Sequence, residues 1–227
     1  MQSELLKADL VEAAKRYSSR YEESPAELYV VQRGLGHMAN RFRLGYVSSP
    51  IAGHEQYRGR LAIPYLRPAG GIRSVATIRF RCIADTCIKA PDGSFLPPER
   101  ETHDGHAKYL SLPGHSPRLY NTWALIRPSP YIVVGEGEFD PMASESADVP
   151  AIGPPGVATW RDHFAPALAG YEVVFSIGDG DPAGRKFNEE MASRLPNVKP
   201  IDLGDGYDIN RYVQEHGCEA FRTKLGV

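Results

Sequence analysis

The chain has 227 residues, 42% hydrophobic and 24% charged, with 26 Lys and Arg against 28 Asp and Glu, an ordinary globular composition for one large domain or two small ones. No apolar run approaches the roughly 20 residues of a membrane span, and the start, MQSELLKADLVEAAKRY, reads as polar and amphipathic rather than as a basic-then-apolar leader. Three cysteines at irregular spacing fit a reducing compartment, so a cytoplasmic protein is expected and secreted, membrane-spanning and fibrous classes are set aside.

Along the chain, Ser3–Tyr21 predicts an amphipathic helix, with Leu6, Leu10, Ala13, Ala14 and Tyr17 at helical spacing. Ser24-Pro25-Ala26-Glu27 is a helix start, in which Ser24 caps, Pro25 suits the first turn and Glu27 closes a capping box. That helix runs to Arg33, and a short one follows over His37–Phe42. Arg60–Tyr65, Ile72–Cys82 and Lys108–Leu112 alternate like strands, with a turn at Gly70-Gly71. Residues 85–105, DTCIKAPDGSFLPPERETHDG, are polar and turn-rich and predict a mobile loop. After Arg127-Pro128 strands alternate with helices: Tyr131–Val134, a helix start at Asp140-Pro141, Val149–Ile152, helix Ala158–Leu168, Glu172–Ile177, helix Ala183–Leu195, Val198–Leu203, and helix Ile209–His216. Such alternation implies a parallel α/β sheet.

The overall charge of −2 conceals a division. Residues 1–132 carry 18 Lys and Arg against 12 Asp and Glu, a net of +6, and residues 133–227 carry 8 against 16, a net of −8. Between Leu28 and Ala84 stand nine arginines and one acid, Glu55. A basic half joined to an acidic one suggests a polyanion held by the first and cations held by the second.

In the acidic half the carboxylates fall just past strands: Glu136, Glu138 and Asp140 after YIVV, Asp179 and Asp181 after VVFSI, and Asp208 after the third strand. Ligands of an open parallel sheet bind beyond the carboxyl ends of its strands, so the three clusters are expected at one edge. Residues two apart on extended chain point the same way, which lets Asp179 and Asp181 converge. Several carboxylates together repel unless a divalent cation neutralises them, and an all-oxygen set points to Mg²⁺ or Mn²⁺. Asp140 and Asp181 also precede prolines and are expected to cap helices. Glu138 is expected to be solvated.

EGEFD (136–140), DGDPAGR (179–185) and DGYDIN (205–210), in that order, resemble the metal-binding signature of Toprim domains. SPAELYVVQRGLGHMANRFRLGYV (24–47), GRLAIPYLRPAGGIRSVATIRFR (59–81) and GHAKYLSLPGHSPRLYN (105–121) resemble the catalytic core of DnaG-type primases, with KYLS where that family has KYLN. The resemblance implies an α/β Toprim-type parallel-sheet domain over 128–227 with helices on both faces, preceded by a smaller mixed α+β basic subdomain over 1–127. It implies a DNA primase, making short RNA primers on single-stranded DNA by metal-dependent nucleotidyl transfer in a bacterial or phage-infected cell. Glu136, Asp179 and Asp181 are then the catalytic and metal-holding residues, with Asp140 and Asp208 completing a site for one to three Mg²⁺ or Mn²⁺ ions. Alternatives are a Toprim-type nuclease using the same acids and a non-catalytic nucleic-acid-binding replisome module.

Arg58, Arg60, Arg79 and Arg81, spaced i, i+2 on neighbouring strand segments, are expected to track template phosphates. Lys108 matches the family's basic residue in the KY motif, and Tyr109 is placed to stack on a base or to fill the core; Arg118 reads as surface charge. Expected partners are single-stranded DNA, NTPs and a replicative helicase or separate zinc-binding initiation factor, and no membrane. Cys82, Cys87, His103 and His106 form a C-x4-C…H-x2-H series that fits standard fingers poorly, so no zinc is expected.

Overall fold

A computed structural model describes residues 2–68, 74–156 and 159–227, with the side chains of the first helix from Asp9 onward. The turn expected at Gly70-Gly71, the strand start at Ile72, the Leu6 side chain and the helix start at Ala158 lie outside the described residues. Two compact units divide the chain, Met1–His115 and Ser116–Val227.

In the first unit, helix α1 (Gln2–Ser18) buries Leu10, Ala13, Ala14 and Tyr17, one face at i, i+3, i+4, i+7 spacing. Helix α2 (Pro25–Gln32) begins at Ser24, which is extended and whose side chain accepts the Glu27 N–H at 3.3 Å. The expected capping box does not close, because the Glu27 carboxylate accepts the Glu23 N–H at 2.6 Å and the Ser24 N–H donates to the Tyr21 carbonyl. Helix α3 (Ala39–Phe42) leads into strand β1 (Gly45–Tyr46), followed by β2 (Leu61–Leu66), β3 (Val75–Arg81), the single-turn helix α4 (Asp85–Ile88) and β4 (Tyr109–Ser111). The strands form an antiparallel sheet in the order β1-β2-β3-β4. The α1 stripe packs on that sheet with Val47, Tyr57, Ile78, Phe80 and Leu112, and Tyr57 stacks flat on Phe80 with ring centroids 3.8 Å apart. A Cβ on Gly45 would stand 2.5 Å from the Tyr17 backbone, so only glycine lets β1 pass this close beneath the helix.

Residues 85–105 are tied down rather than open. Beyond α4, Lys89 bridges to Phe95, the Leu96 N–H donates to the Ile88 carbonyl at 2.8 Å, and the Thr102 N–H donates to the Cys87 carbonyl at 3.1 Å.

The second unit holds β5 (Tyr131–Val134), α5 (Phe139–Ser146), β6 (Ala151–Ile152), β7 (Val173–Ser176), α6 (Pro182–Arg194), β8 (Val198–Pro200) and α7 (Ile209–Leu225). Its sheet runs β6-β5-β7-β8, parallel throughout. Ile132, Val134 and Val174 pack with Phe187 and Met191 of α6 and with Leu195 just past its end. Val133 and Phe175, alternating with them, are buried on the opposite side. The segment expected as helix up to Leu168 is a 3-10 turn over Asp162–Leu168, because Pro166 brings no backbone N–H to an α-helical ladder. Helix α7 runs past the expected His216 and breaks at Gly217, where φ is 87°. The unit begins ahead of the composition shift at residue 128 because Leu119 and Ala124 are buried in its core and Tyr120 bridges to Gly153.

Candidate active site

All four strands of the parallel sheet point their carboxyl ends at one edge, and the acids follow them. The β5–β7 register pairs Val134 with Ser176; carried two residues on, it sets Glu136 beside the turn that holds Asp179. There the Glu136 carboxylate accepts the Asp179 N–H at 2.7 Å. Asp140 folds back from the first turn of α5, its Oδ2 accepting the N–H groups of Glu136 at 3.1 Å and Gly137 at 3.2 Å. Asp181 caps α6 by accepting the Gly184 N–H at 2.8 Å, with Pro182 next to it.

The third cluster is locked to the second through the backbone. The Gly180 N–H donates to the Tyr207 carbonyl and the Gly206 N–H to the Gly180 carbonyl, both at 2.8 Å. A Cβ on Gly180 would stand 2.2 Å from the Gly204 carbonyl oxygen, which is why the two acids of the DGD turn are separated by glycine. Asp208 follows directly and caps α7, accepting the Arg211 N–H at 2.6 Å.

These positions leave the site short of positive charge. Burial pushes the Glu136 carboxyl up to about 7, and the neighbouring charges of Asp140, Asp181 and Asp208 push the same way against the Asp179 N–H. Burial raises Asp140 well above the usual carboxylate range, reinforced by Asp179 and Asp208. Two buried carboxylates, Glu136 and Asp140, with Asp179 and Asp208 half-buried and Asp181 exposed near them, are a donor set suited to a hard divalent cation. Glu136 and Asp181 each direct one carboxylate oxygen to a backbone amide, which leaves the other oxygen of each for a cation. Glu138, expected in solvent, is 1% exposed; it heads α5 and turns inward.

The first unit carries a second charged centre. Arg81 on β3 is 3% exposed; its guanidinium donates to the Glu101 carboxylate at 2.6 Å and to the Tyr109 hydroxyl. Glu101 also accepts from the Tyr29 hydroxyl at 2.6 Å and faces Lys108 at 3.3 Å. Burial would raise Glu101, but Arg81, the Tyr29 hydroxyl, Lys108 and Arg33 outweigh it and hold the carboxyl below its ordinary value. Burial and the Arg81 charge push Lys108 down. One carboxylate among three cations leaves net positive charge, which favours an anionic ligand.

The expected arginine pairs divide. Arg79 and Arg81 share a face of β3 and reach the Tyr109 ring, at 4.5 and 5.0 Å from its centroid. Arg58 and Arg60 are not on a strand: they flank Gly59, whose φ is 76°, ahead of β2. Arg58 donates to the Ser48 carbonyl at 2.7 Å and Arg60 to the Ala107 carbonyl at 3.1 Å. Glu101, Tyr29 and Arg33 were not singled out in the sequence. The one available signal was the run of nine arginines from Leu28 to Ala84 with a single acid, since a buried arginine there must find its carboxylate elsewhere.

Cys82, Cys87, His103 and His106 come together although the sequence spacing argued against it, with one potential ligand atom from each within 4.8 Å of all the others. Among the described residues this is the only group of three or more His, Cys, Asp or Glu side chains drawn that close as a ligand set.

No family model matches the chain. It is 36% identical over 170 residues to the Gene 57 protein of Mycobacterium phage D29, covering 74% of this chain and 99% of that protein. It is 27% identical over a 244-residue alignment to the DNA primase of Aquifex aeolicus, covering 94% of this chain. The chain spans 48% of that primase's length. The RNA polymerase domain of Mycobacterium tuberculosis primase DnaG superposes with a TM-score of 0.73 at 20% identity, over 99% of this chain and 83% of that one. Its complex with a double-stranded DNA oligomer bearing a 6-nucleotide overhang gives a TM-score of 0.72 at 19% identity, over 96% and 80%.

Proposed function

This chain belongs to one family with the Gene 57 protein of Mycobacterium phage D29 and has the fold of DnaG primase catalytic cores, and from that premise we propose that it is a primase core making short RNA primers on single-stranded DNA. The observation that carries the reading is the meeting of Glu136 with the Asp179–Asp181 turn, 2.7 Å from carboxylate to amide, at the carboxyl edge of the parallel sheet. We assign the basic subdomain to the first unit and the Toprim domain to the second, with the boundary at 115/116 rather than at the expected 127/128.

In this reading Glu136, Asp179 and Asp181 hold Mg²⁺ or Mn²⁺, with Asp140 and Asp208 beside them. When bound, the cation supplies charge neutralisation at the triphosphate and favours ionisation of the attacking hydroxyl. The 3′-oxygen of one nucleotide forms a bond to the α-phosphorus of an incoming NTP, the bond to the β-phosphate oxygen breaks, and pyrophosphate leaves. Glu136, whose carboxyl sits near neutrality without a cation, is the group of this chain placed to hold or release a proton there. Asp140 orients the Glu136 backbone through its two amide contacts, and Asp181 and Asp208 fix the starts of α6 and α7.

The basic unit serves the template and the nucleotide phosphates. Lys108, 37% exposed at its side chain, Arg79, Arg58 and Arg60 offer the cationic contacts. Arg81 is a positioning residue: buried against Glu101, it orients the Tyr109 hydroxyl. The partner set is single-stranded DNA and NTPs, with a helicase or zinc-binding initiation factor supplying template choice. Among the described residues no helix is long and apolar enough to cross a membrane.

Incubation with single-stranded DNA, Mn²⁺ or Mg²⁺ and labelled NTPs tests the proposal. Labelled oligomers that vanish in Asp179→Asn and Asp181→Asn support it. Shortened DNA without oligomers selects the nuclease, and DNA binding with neither product selects a non-catalytic module.

A further inference from the structure

We propose that Cys82, Cys87, His103 and His106 bind one structural Zn²⁺ in the basic unit. The inference is independent of the reaction assigned to the acidic edge. Its first support is metric. Zinc bonds to sulfur and to imidazole nitrogen are about 2.3 and 2.0–2.1 Å, so a tetrahedral site sets sulfur–sulfur separations near 3.8 Å and sulfur–nitrogen separations near 3.5 Å. The Cys82 and Cys87 sulfurs are 3.8 Å apart, and the His106 Nε2 stands 3.2 Å from one and 3.5 Å from the other.

The second support is how the histidines are held. The other ring nitrogen of His106 faces the Asp104 carbonyl at 3.3 Å. This is the outer contact that a metal-bound imidazole ordinarily makes, and it turns Nε2 toward the sulfurs. His103 is nine-tenths buried at its side chain, 9% exposed, and neither of its buried ring nitrogens has a hydrogen-bond partner. A buried imidazole without partners is costly, and a cation shared with the two thiolates removes that cost. Its Nε2 is 3.7 Å from the Glu101 carboxylate, beyond hydrogen-bond distance.

The ligand types select the ion. Two sulfurs and two imidazoles in a tetrahedral arrangement suit zinc, and the hard cations of the acidic edge are excluded by the sulfurs. Both thiols are free; zinc takes them as thiolates and their two protons pass to solvent. The site closes a chain segment on itself, because Cys82 follows the last residue of β3 and His106 lies two residues before Lys108. Between them stands Glu101, which meets Arg81 and Lys108. Zinc thereby fixes the turn-rich segment that brings this carboxylate to the two cations.

The test is the metal content of the full chain purified without chelator, by mass spectrometry of the elements, with zinc-edge X-ray absorption for the ligand shell. The expected result is one zinc per chain with two sulfur and two nitrogen neighbours. The Cys82→Ser, Cys87→Ser double variant loses that zinc and Cys218→Ser keeps it. Should the double variant fail to fold, His106→Ala, which changes an exposed side chain, keeps the fold and loses zinc faster to a chelator. Less than a tenth of a zinc per chain with titratable thiols, a Cys82–Cys87 disulfide in a peptide map, a different metal in stoichiometric amount, or zinc retained by the double variant would each overturn the proposal.

Discussion

Replacing Glu136 by glutamine should make the cation-free protein more stable near pH 8, not less. The amide oxygen still accepts the Asp179 N–H, but the buried negative charge is gone. Burial takes the carboxyl from 4.5 up to about 7, and each unit is worth about 1.4 kcal/mol, so ionised Glu136 costs the fold at most about 3.5 kcal/mol. Solvent at the sheet edge screens part of this, and about 1–2 kcal/mol is the working figure. The sign follows from the raised folded value: the contribution of Glu136 is intact below about pH 4.5 and is lost as pH rises through about 7. At roughly 2–4 °C per kcal/mol for a chain of this size, E136Q should melt a few degrees above the parent in chelator near pH 8. The two should melt together near pH 4. Adding Mn²⁺ should reverse the order, because the cation stabilises the folded state that holds its carboxylate. Thermal unfolding followed by circular dichroism at both pH values, with chelator and with Mn²⁺, reads all four conditions. A variant that is less stable by the same margin at every pH would refute the reasoning.

Three other perturbations reach different parts of the account. Gly180→Ala places a Cβ 2.2 Å from the Gly204 carbonyl oxygen, so the DGD turn separates from the 204–207 turn; about 1–3 kcal/mol of stability should go, with primer synthesis, and a wild-type melting curve would contradict it. Glu101→Gln leaves the Arg81 guanidinium buried without its countercharge and should cost about 3–5 kcal/mol in urea unfolding; a loss below 1 kcal/mol would show that Tyr109 suffices. Lys108→Ala should reduce the slope of log affinity for single-stranded DNA against log salt by about 1 in fluorescence anisotropy; an unchanged slope removes Lys108 from the phosphate contacts.

Much of the acidic edge was legible because its signals are local. YIVV forms β5 with the boundaries its apolar run sets, Ser24 and Asp181 cap the helices they precede, and strand alternation gives the parallel sheet whose one edge collects the acids. Where the reading assumed a backbone conformation it went astray. The face shared by Arg58 and Arg60 presumed extended chain, and Gly59 turns there with φ at 76°. Residues 85–105 read as an open loop because their order comes from partners far away in sequence: Glu101 finds Arg81 twenty residues back, and His106 finds Cys82 across twenty-four. Only the folded sheet makes neighbours of these groups. Asp208 was seen as a possible ligand, but its capping of α7 was not, since no proline marks that helix start as Pro182 marks α6.

The most direct test is anomalous diffraction from a crystal of this chain soaked in Mn²⁺. The account predicts a manganese peak within bonding distance of carboxylate oxygens from both Glu136 and the Asp179–Asp181 turn, absent from an Asp179→Asn, Asp181→Asn crystal. Saturating Mn²⁺ with no peak beside Glu136, or a peak that persists in the double variant, would contradict it.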